Sequence, residues 1–341
     1  MGVKVCNPCS QDGEDEEIIF SNRIKIRDDN FTFDETTKVY TLKTCNNMNE
    51  SELQKAKATL EFYIQQKGHF LYNRNINDTL EQINPTANNI TFPTELLDDT
   101  NTISIKEPMI IFNDGEIFQG GWNLNNQRNG YGISINKDGN VFKGLWENDN
   151  FGKYGAFIEK NGNYYIGELD NGKAKGKGEM FIKNKMKFKG EFNDDMPYGQ
   201  GVLENFKDKS VYNGSMVNGF KEGYGEIKFA DGTVYKGEFK EDKFHGKGII
   251  NFSNGRKYEG EFKNNQMDGK GIFTWEDGKK YIGTYSSDIK QGYGKLFWNE
   301  NKYYEGEWFN NKPHGEGVYF LNGKLLKGKF RFGKVISKKI E

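Results

Sequence analysis

From Phe118 to Phe330 apolar and polar positions alternate with a period of two, and the whole pattern recurs every 23 or 24 residues. The aromatic that precedes x-Gly marks each recurrence: Phe118, Phe142, Tyr165, Phe188, Tyr212, Tyr235, Tyr258, Tyr281 and Tyr304. Leu326 opens a truncated tenth unit. A period of two predicts strands, and self-similarity at a fixed spacing predicts a repeat array.

With Tyr235 as offset 0, Gly237 stands at offset 2, Phe239 at 4, Gly246 at 11, Gly248 at 13 and Ile250 at 15. Offsets 0, 2 and 4 share one strand face, and Lys236 and Glu238 lie on the other. Each unit therefore predicts two strands with an aromatic-glycine face and a charged face, the pattern of an antiparallel sheet solvated on one side. Within a hairpin, the expected register sets offset 4 against 11, 3 against 12, 2 against 13 and 0 against 15. That places the Phe239 ring over Gly246, Gly237 beside Gly248 and Tyr235 beside Ile250. On the charged face it pairs Glu238 with Lys247, Glu261 with Lys270 and Glu168 with Lys177, and sets Glu307 unfavourably against Glu316. The glycines at offsets 2, 11 and 13 read as steric requirements. Between units, Asp231-Gly232, Asn254-Gly255 and Asp277-Gly278 predict a three-residue loop with left-handed Gly, because a two-residue turn would flip the next aromatic to the wrong face. Within units, a six-residue loop joins the strands.

Residues 1–108 do not repeat. Residues 1–17 read as a flexible tail, and 18–108 as an irregular region. Ile18–Leu42 contains short β-like runs at Ile24-Lys25-Ile26 and Lys38-Val39-Tyr40. A helix is predicted at about 50–67, capped by Asn49, ended by Gly68 and carrying Leu53, Ala56, Leu60 and Ile64 on one face. Residues 69–104, rich in Asn and Thr, predict an irregular connection. The array is expected over 109–335, about nine repeats with partial caps, the first a half-unit at Met109–Phe112.

Composition fits this picture. There are 42 Gly against 6 Pro, aromatics make up 15% of the chain, and disordered chains lack aromatics. The net charge of −1 gives no basic stripe for nucleic acid. No apolar run approaches the roughly 18 residues of a membrane-spanning helix. The N-terminus shows no secretory h-region, and Cys6, Cys9 and Cys45 are too few for a disulfide framework, so a cytoplasmic, reducing setting is expected.

The chemistry of catalysis is not found. His245 and His314 occupy the same offset in different units, without a nucleophile beside them. The Gly-x-Gly pairs do not lie between a strand and a helix, as a phosphate loop must, so no nucleotide cofactor is expected. Acidic residues alternate with Lys, and Cys6-Asn7-Pro8-Cys9 is a lone pair, so no metal site is expected. Gly2 is a candidate for N-myristoylation and Cys6 and Cys9 for palmitoylation, although Cys6 stands where that motif wants Ser or Thr.

Tyr235-Lys236-Gly237-Glu238-Phe239 followed by Gly246-Lys247-Gly248 resembles the MORN repeat (membrane occupation and recognition nexus). The resemblance extends from Phe118 to Phe330. It departs in the first unit, with its glycines one later (Gly130, Gly132), in the second (Gly152 and Gly155), and at Ser215 and Thr284, which replace the Glu. It implies an all-β fold, an elongated single-layer antiparallel meander of stacked hairpins. It also implies a non-enzymatic scaffold or adaptor in a cytoskeletal or ciliary assembly. The alternatives are a membrane-associated tether that binds phospholipid or is acylated, located at the cytoplasmic face of a membrane, and the regulatory part of an enzyme complex. About 108 residues without a catalytic motif are too few for a kinase or methyltransferase domain. The expected partner is a protein, an extended segment or amphipathic helix held in an aromatic groove. The residues expected to line it are Tyr235, Phe239, Tyr258, Phe262, Trp275, Tyr281, Tyr285, Trp298, Tyr304 and Trp308.

Overall fold

The computed structural model describes residues 31–34, 39–42, 69–71, 76–90, 109–112, 114–123, 125 and 127–340. The tail at 1–17 and the helix at about 50–67 lie outside these residues, as do Ile24–Ile26. The chain divides into two compact units, 1–183 and 184–341. In each unit the described residues form an antiparallel β-meander, and few of them are helical.

The first unit holds a separate hairpin, β1 (Phe31–Asp34) with β2 (Val39–Leu42). Its main sheet runs β3 (His69–Leu71), β4 (Met109–Ile111), β5 (Ile117–Trp122), β6 (Arg128–Ile135), β7 (Val141–Glu147), β8 (Asn150–Ile158), β9 (Tyr164–Asp170) and β10 (Lys173–Ile182). Each strand pairs with the next. The half-unit at Met109 is thus completed by a strand from far upstream, with Phe70 opposite Ile110.

The second unit is likewise a meander. It comprises β11 (Met186–Asn193), β12 (Met196–Asn205), β13 (Ser210–Val217), β14 (Phe220–Lys228), β15 (Val234–Lys240), β16 (Lys243–Asn251) and β17 (Lys257–Lys263). There follow β18 (Gln266–Thr274), β19 (Lys280–Ser286), β20 (Ile289–Asn299), β21 (Lys302–Phe309), β22 (Lys312–Leu321), β23 (Lys324–Arg331) and β24 (Lys334–Ile340).

The loop between repeats is the one the spacing predicts. The Gly232 amide donates to Phe229 O at 3.0 Å, Gly232 has φ +90°, and Asp231 Oδ1 accepts from the Thr233 amide at 2.8 Å. The hairpin tip differs from expectation. In place of six loop residues, Glu241 and Asp242 alone turn the chain, at φ +49° and +66°. Positive φ at both central residues defines a type I′ turn, whose twist matches that of the strands. Asn264-Asn265, Ser287-Asp288 and Asn310-Asn311 repeat it, Asn and Asp being the non-Gly residues that best tolerate this region. Among the described hairpins of the array, β5–β6 has a longer tip between Trp122 and Arg128, in keeping with its later glycines.

The saved loop residues form a bulge. Tyr235 faces Ile250 and Gly237 faces Gly248 as predicted, but Glu238 then faces His245 and Phe239 faces Phe244, skipping Gly246 and Lys247. Offsets 4–11 and 3–12 do pair, but between neighbouring repeats: Phe262 faces Gly246 and Glu261 faces Lys247. The Phe239 ring therefore does not cover Gly246. The Glu238 carboxylate does: a Cβ at Gly246 would lie 2.4 Å from Glu238 Oε2, and Glu238 Oε1 accepts from the Lys247 amide at 3.0 Å. What Glu238 meets is the backbone of Lys247 rather than its ammonium. Glu307 covers Gly315 in the same way and accepts from the Glu316 amide at 3.2 Å, so the expected repulsion becomes a hydrogen bond.

On the aromatic face, the ring at offset 0 lies across two glycines. A Cβ at Gly248 would lie 2.5 Å from the Tyr235 hydroxyl, and that hydroxyl donates to Glu238 O at 2.8 Å. From Tyr235 to Tyr304 each such ring meets the ring at offset 4 of its own repeat and of the next edge to face. Tyr235 has Phe239 at 5.2 Å and Phe262 at 5.1 Å, and Tyr258 has Phe262 at 5.0 Å and Tyr285 at 5.3 Å. This zigzag runs on through Tyr281, Trp308 and Tyr304 to Phe330. It is how a one-layer sheet supplies its own core.

The connection at 69–104 is not wholly irregular. It contains helix α1 (Ile76–Ile83) and a one-turn helix α2 (Pro85–Asn88). Asn84 caps α2, accepting from the Ala87 amide at 3.3 Å, and Pro85 follows at the first helical position, where no amide is needed. Ile76, Leu80 and Ala87 pack on Ile133, Ile135, Val141, Ala156 and Ile158. Asn84 also donates to Gly139 O at 3.2 Å, fixing the helices to the β6–β7 turn.

Candidate functional site: a groove above the glycine row

The ten aromatics expected to hold a partner do not form an open face. Tyr235, Phe239, Tyr258, Phe262, Tyr281, Tyr285, Tyr304 and Trp308 are at most 5% exposed and pack on one another. Trp275 and Trp298 are half-buried beside the turns between repeats, Trp275 against Phe273 and Trp298 against Tyr319. Burial pushes the phenols up: Tyr212 and Tyr304 to about 12, with desolvation the largest cause and nearby carboxylates adding to it. Gly2, Cys6 and Cys9 lie outside the described residues.

The concave surface lies on the opposite side. Glycines face glycines across the sheet: Gly237 with Gly248, Gly248 with Gly260, then Gly271, Gly283, Gly294 and Gly306 in turn. Their backbones floor a groove of about 910 Å³ in the second unit. One wall is the row of residues at offsets 1 and 14, Lys236, Ile249, Glu259, Ile272, Ile282, Lys295 and Glu305, each directly opposite the next. The other wall, at offsets 3 and 12, includes Lys247, Glu261, Lys270 and Thr284, with Tyr224 and Tyr293 on its rim. Tyr224 and Tyr293 are 58% and 61% exposed, and Ile282 is 40% exposed.

The charges on this surface largely neutralise one another. Lys236 meets Glu226 at 3.3 Å, and Lys295 meets Glu305 at 2.8 Å while lying 4.0 Å over the Tyr303 ring. Exposed pairs of this kind each contribute about 0–1 kcal/mol. Along the same row stand the exposed Ile282 and the half-buried Ile272 and Ile249, the last two with Glu259 between them, at positions the alternation assigns to polar residues. The sequence does carry that signal: three isoleucines break the Lys/Glu pattern within neighbouring repeats, and Tyr replaces the Lys of offset 12 at 224 and 293. A groove with apolar side chains between polar walls is a surface suited to binding.

Fold and groove together define a β-hairpin repeat array that presents a binding surface. The MORN-repeat family model matches half of the chain, at residues 118–141, 165–185, 188–204, 212–234, 235–255, 258–280, 281–301 and 304–324, and the chain belongs to that family, a non-catalytic type of repeat. The match passes over residues 142–164, where Gly152 stands one position early, yet β7 and β8 form the hairpin there. Among solved structures, the chain is similar to the wild-type TCP10 domain of Danio rerio CPAP in complex with a peptide of Danio rerio STIL. Identity is 14%, coverage 70% of this chain and 96% of that one, and the TM-score 0.35. It is also similar to the SAS-4 TCP domain of Drosophila melanogaster in complex with a proline-rich motif of Ana2, at 11% identity, 46% and 85% coverage and TM-score 0.30. No curated protein matches the chain.

Proposed function

We propose that this chain is a non-enzymatic scaffold or adaptor that holds a protein partner in the groove of its second unit, within a cytoskeletal or ciliary assembly of the cytoplasm. The observation that carries this reading is the uncovered strip of Ile249, Ile272 and Ile282 on a glycine floor. Apolar surface left accessible among polar residues marks an interaction site. The mixed charge of the walls offers no field for an anionic membrane or a nucleic acid. The setting follows from the scaffold role implied by the repeat type.

The test uses the full-length chain, tagged, in its own cells. After extraction with non-ionic detergent it should remain with the insoluble cytoskeleton and copurify with a defined protein. Ile282→Glu, on an exposed side chain, should release it and lose that protein without lowering the melting temperature. Release of the native chain by detergent, or partner retention by Ile282→Glu, would overturn the reading.

A further inference from the structure

The chain shows on itself what this face accepts. In the first unit the row equivalent to Lys236, Ile249, Glu259, Ile272 and Ile282 is Gln119, Ile133, Lys143, Ala156 and Ile166, each again directly opposite the next. That row is covered. Ile76 and Leu80 of α1, with Ala87 of α2, pack on Ile133 and Ala156, and Ile83 and Ile166 flank them. The same row holds both ends of the helical segment. Gln119 Oε1 accepts from the Ile76 amide at 3.3 Å, and the Lys143 ammonium, itself buried, donates to Ala87 O.

From this equivalence we infer that the groove of the second unit takes an amphipathic α-helix of a partner protein, laid across the strands as α1 is. The inference rests on the partner-binding role proposed for the same groove. Three features fit a helix better than an extended segment. The strip Ile249–Ile272–Ile282 crosses β16, β18 and β19, and so runs across the strands. Strands about 4.8 Å apart make this span roughly 14 Å, which a helix rising about 1.5 Å per residue covers in some ten residues. Aliphatic side chains at i, i+4 and i+7, the spacing of Ile76, Leu80 and Ile83, then fall along the strip. Finally, the groove is flanked by complete β-ladders: β16 to β20 are each paired on both sides, so a strand has no free edge there to add to.

The test selects random 16-residue peptides, displayed on phage, on the full-length chain, with counter-selection on the Ile282→Glu chain. Tyr293→Ala, at a second exposed side chain of the rim, guards against an effect peculiar to the new charge. Selected peptides are expected to carry aliphatic residues at i, i+4 and i+7, to gain helical circular dichroism on binding, and to bind Ile282→Glu about tenfold more weakly, a loss of roughly 1.4 kcal/mol. Selected peptides with alternating or proline-rich sequences that still depend on Ile282 would overturn the helix and leave the groove as the partner site. Absence of any Ile282-dependent peptide would also overturn it. Loss of the copurifying cellular protein in Ile282→Glu would then show whether the partner-binding role survives. Self-association of the chain that Ile282→Glu abolishes would replace the helix by a second copy.

Discussion

The contact between Tyr235 and the two glycines beneath it gives the sharpest test of how the array is held together. In Gly248→Ala the new Cβ would lie 2.5 Å from the Tyr235 hydroxyl, 2.6 Å from Cε2 and 2.7 Å from Cζ. Carbon atoms rest at about 3.5–4.0 Å, so the ring must retreat by roughly 1 Å. It has little room to do so. It is fully buried, stacked on Phe244 at 3.8 Å and met edge-on by Phe239 and Phe262. Overpacking costs about 1–3 kcal/mol. Displacing the hydroxyl from Glu238 O costs about 1 kcal/mol more. Alanine returns some 0.5–1 kcal/mol over glycine within a strand. The net loss is then about 1–3 kcal/mol. The control is Tyr235→Ala, in which the ring is gone and Gly248→Ala should be neutral or slightly stabilising. The cycle therefore predicts a coupling of roughly 1–3 kcal/mol. Because repeats unfold by nearest-neighbour coupling, amide hydrogen exchange read strand by strand is the suitable assay. Protection should fall in β15 to β17 and persist in β21 to β23. An equal cost of Gly248→Ala with and without the Tyr235 ring, or an even loss along the second unit, would refute the steric account.

Phe262→Ala removes a ring shared by Tyr235 and Tyr258 and should cost about 3–5 kcal/mol in denaturant unfolding; an unchanged midpoint would contradict its role as core. Glu238→Ala should cost about 1 kcal/mol, because it strips the acceptor from the Lys247 amide at the bulge, while Glu238→Gln should recover most of that. Exchange at the Lys247 amide reads this directly. Tyr212 and Tyr304 have folded-state pKa values raised from 10.0 to about 12, so the folded chain keeps protons that the unfolded chain releases. Their contribution to stability is complete below pH 10 and is lost as pH rises from 10 through about 12. Unfolding midpoints measured across that window should fall, and phenolate absorbance of the folded chain should lag behind that of the unfolded chain.

The sequence made one end of each hairpin legible and concealed the other. Near the aromatic, glycine must face glycine because the ring lies on both, and the Asp-Gly loop fixes the phase of the next strand, so offsets 0–15 and 2–13 follow from composition alone. At the tip, residues such as Glu241-Asp242-Lys243 are polar because they are exposed, and polarity reads equally as loop or as turn. The bulge adds Gly246 and Lys247 to one strand only, which moves the pairing of Phe262 with Gly246 from within a hairpin to between hairpins. Helix α1 was hidden by its Asn- and Thr-rich neighbours and by Pro85, although Ile76, Leu80 and Ile83 stand at helical spacing. The groove escaped notice because Ile249, Ile272 and Ile282 occupy offsets that hold polar or apolar residues from one repeat to the next, and only the pairing of successive strands brings them into one row.

The two faces of the array divide stability from recognition for a single geometric reason. Every glycine of the central row would project its side chain toward the tyrosines, so leaving that side chain out lets each ring lie flat on the sheet and seal one face. The rings need no partner to be buried. On the other face the same glycines present backbone only, and the residues on either side are free to vary without disturbing the rings. In the first unit that freedom is used to seat Ile76 and Leu80, with Gln119 and Lys143 holding the segment's ends. In the second unit it leaves Ile282 exposed and Ile249 and Ile272 half-buried. A substitution at Ile282 should therefore change what binds and leave the fold intact, whereas one at Gly283, whose Cβ would lie 2.4 Å from the Tyr281 hydroxyl, should unseat the core one residue away.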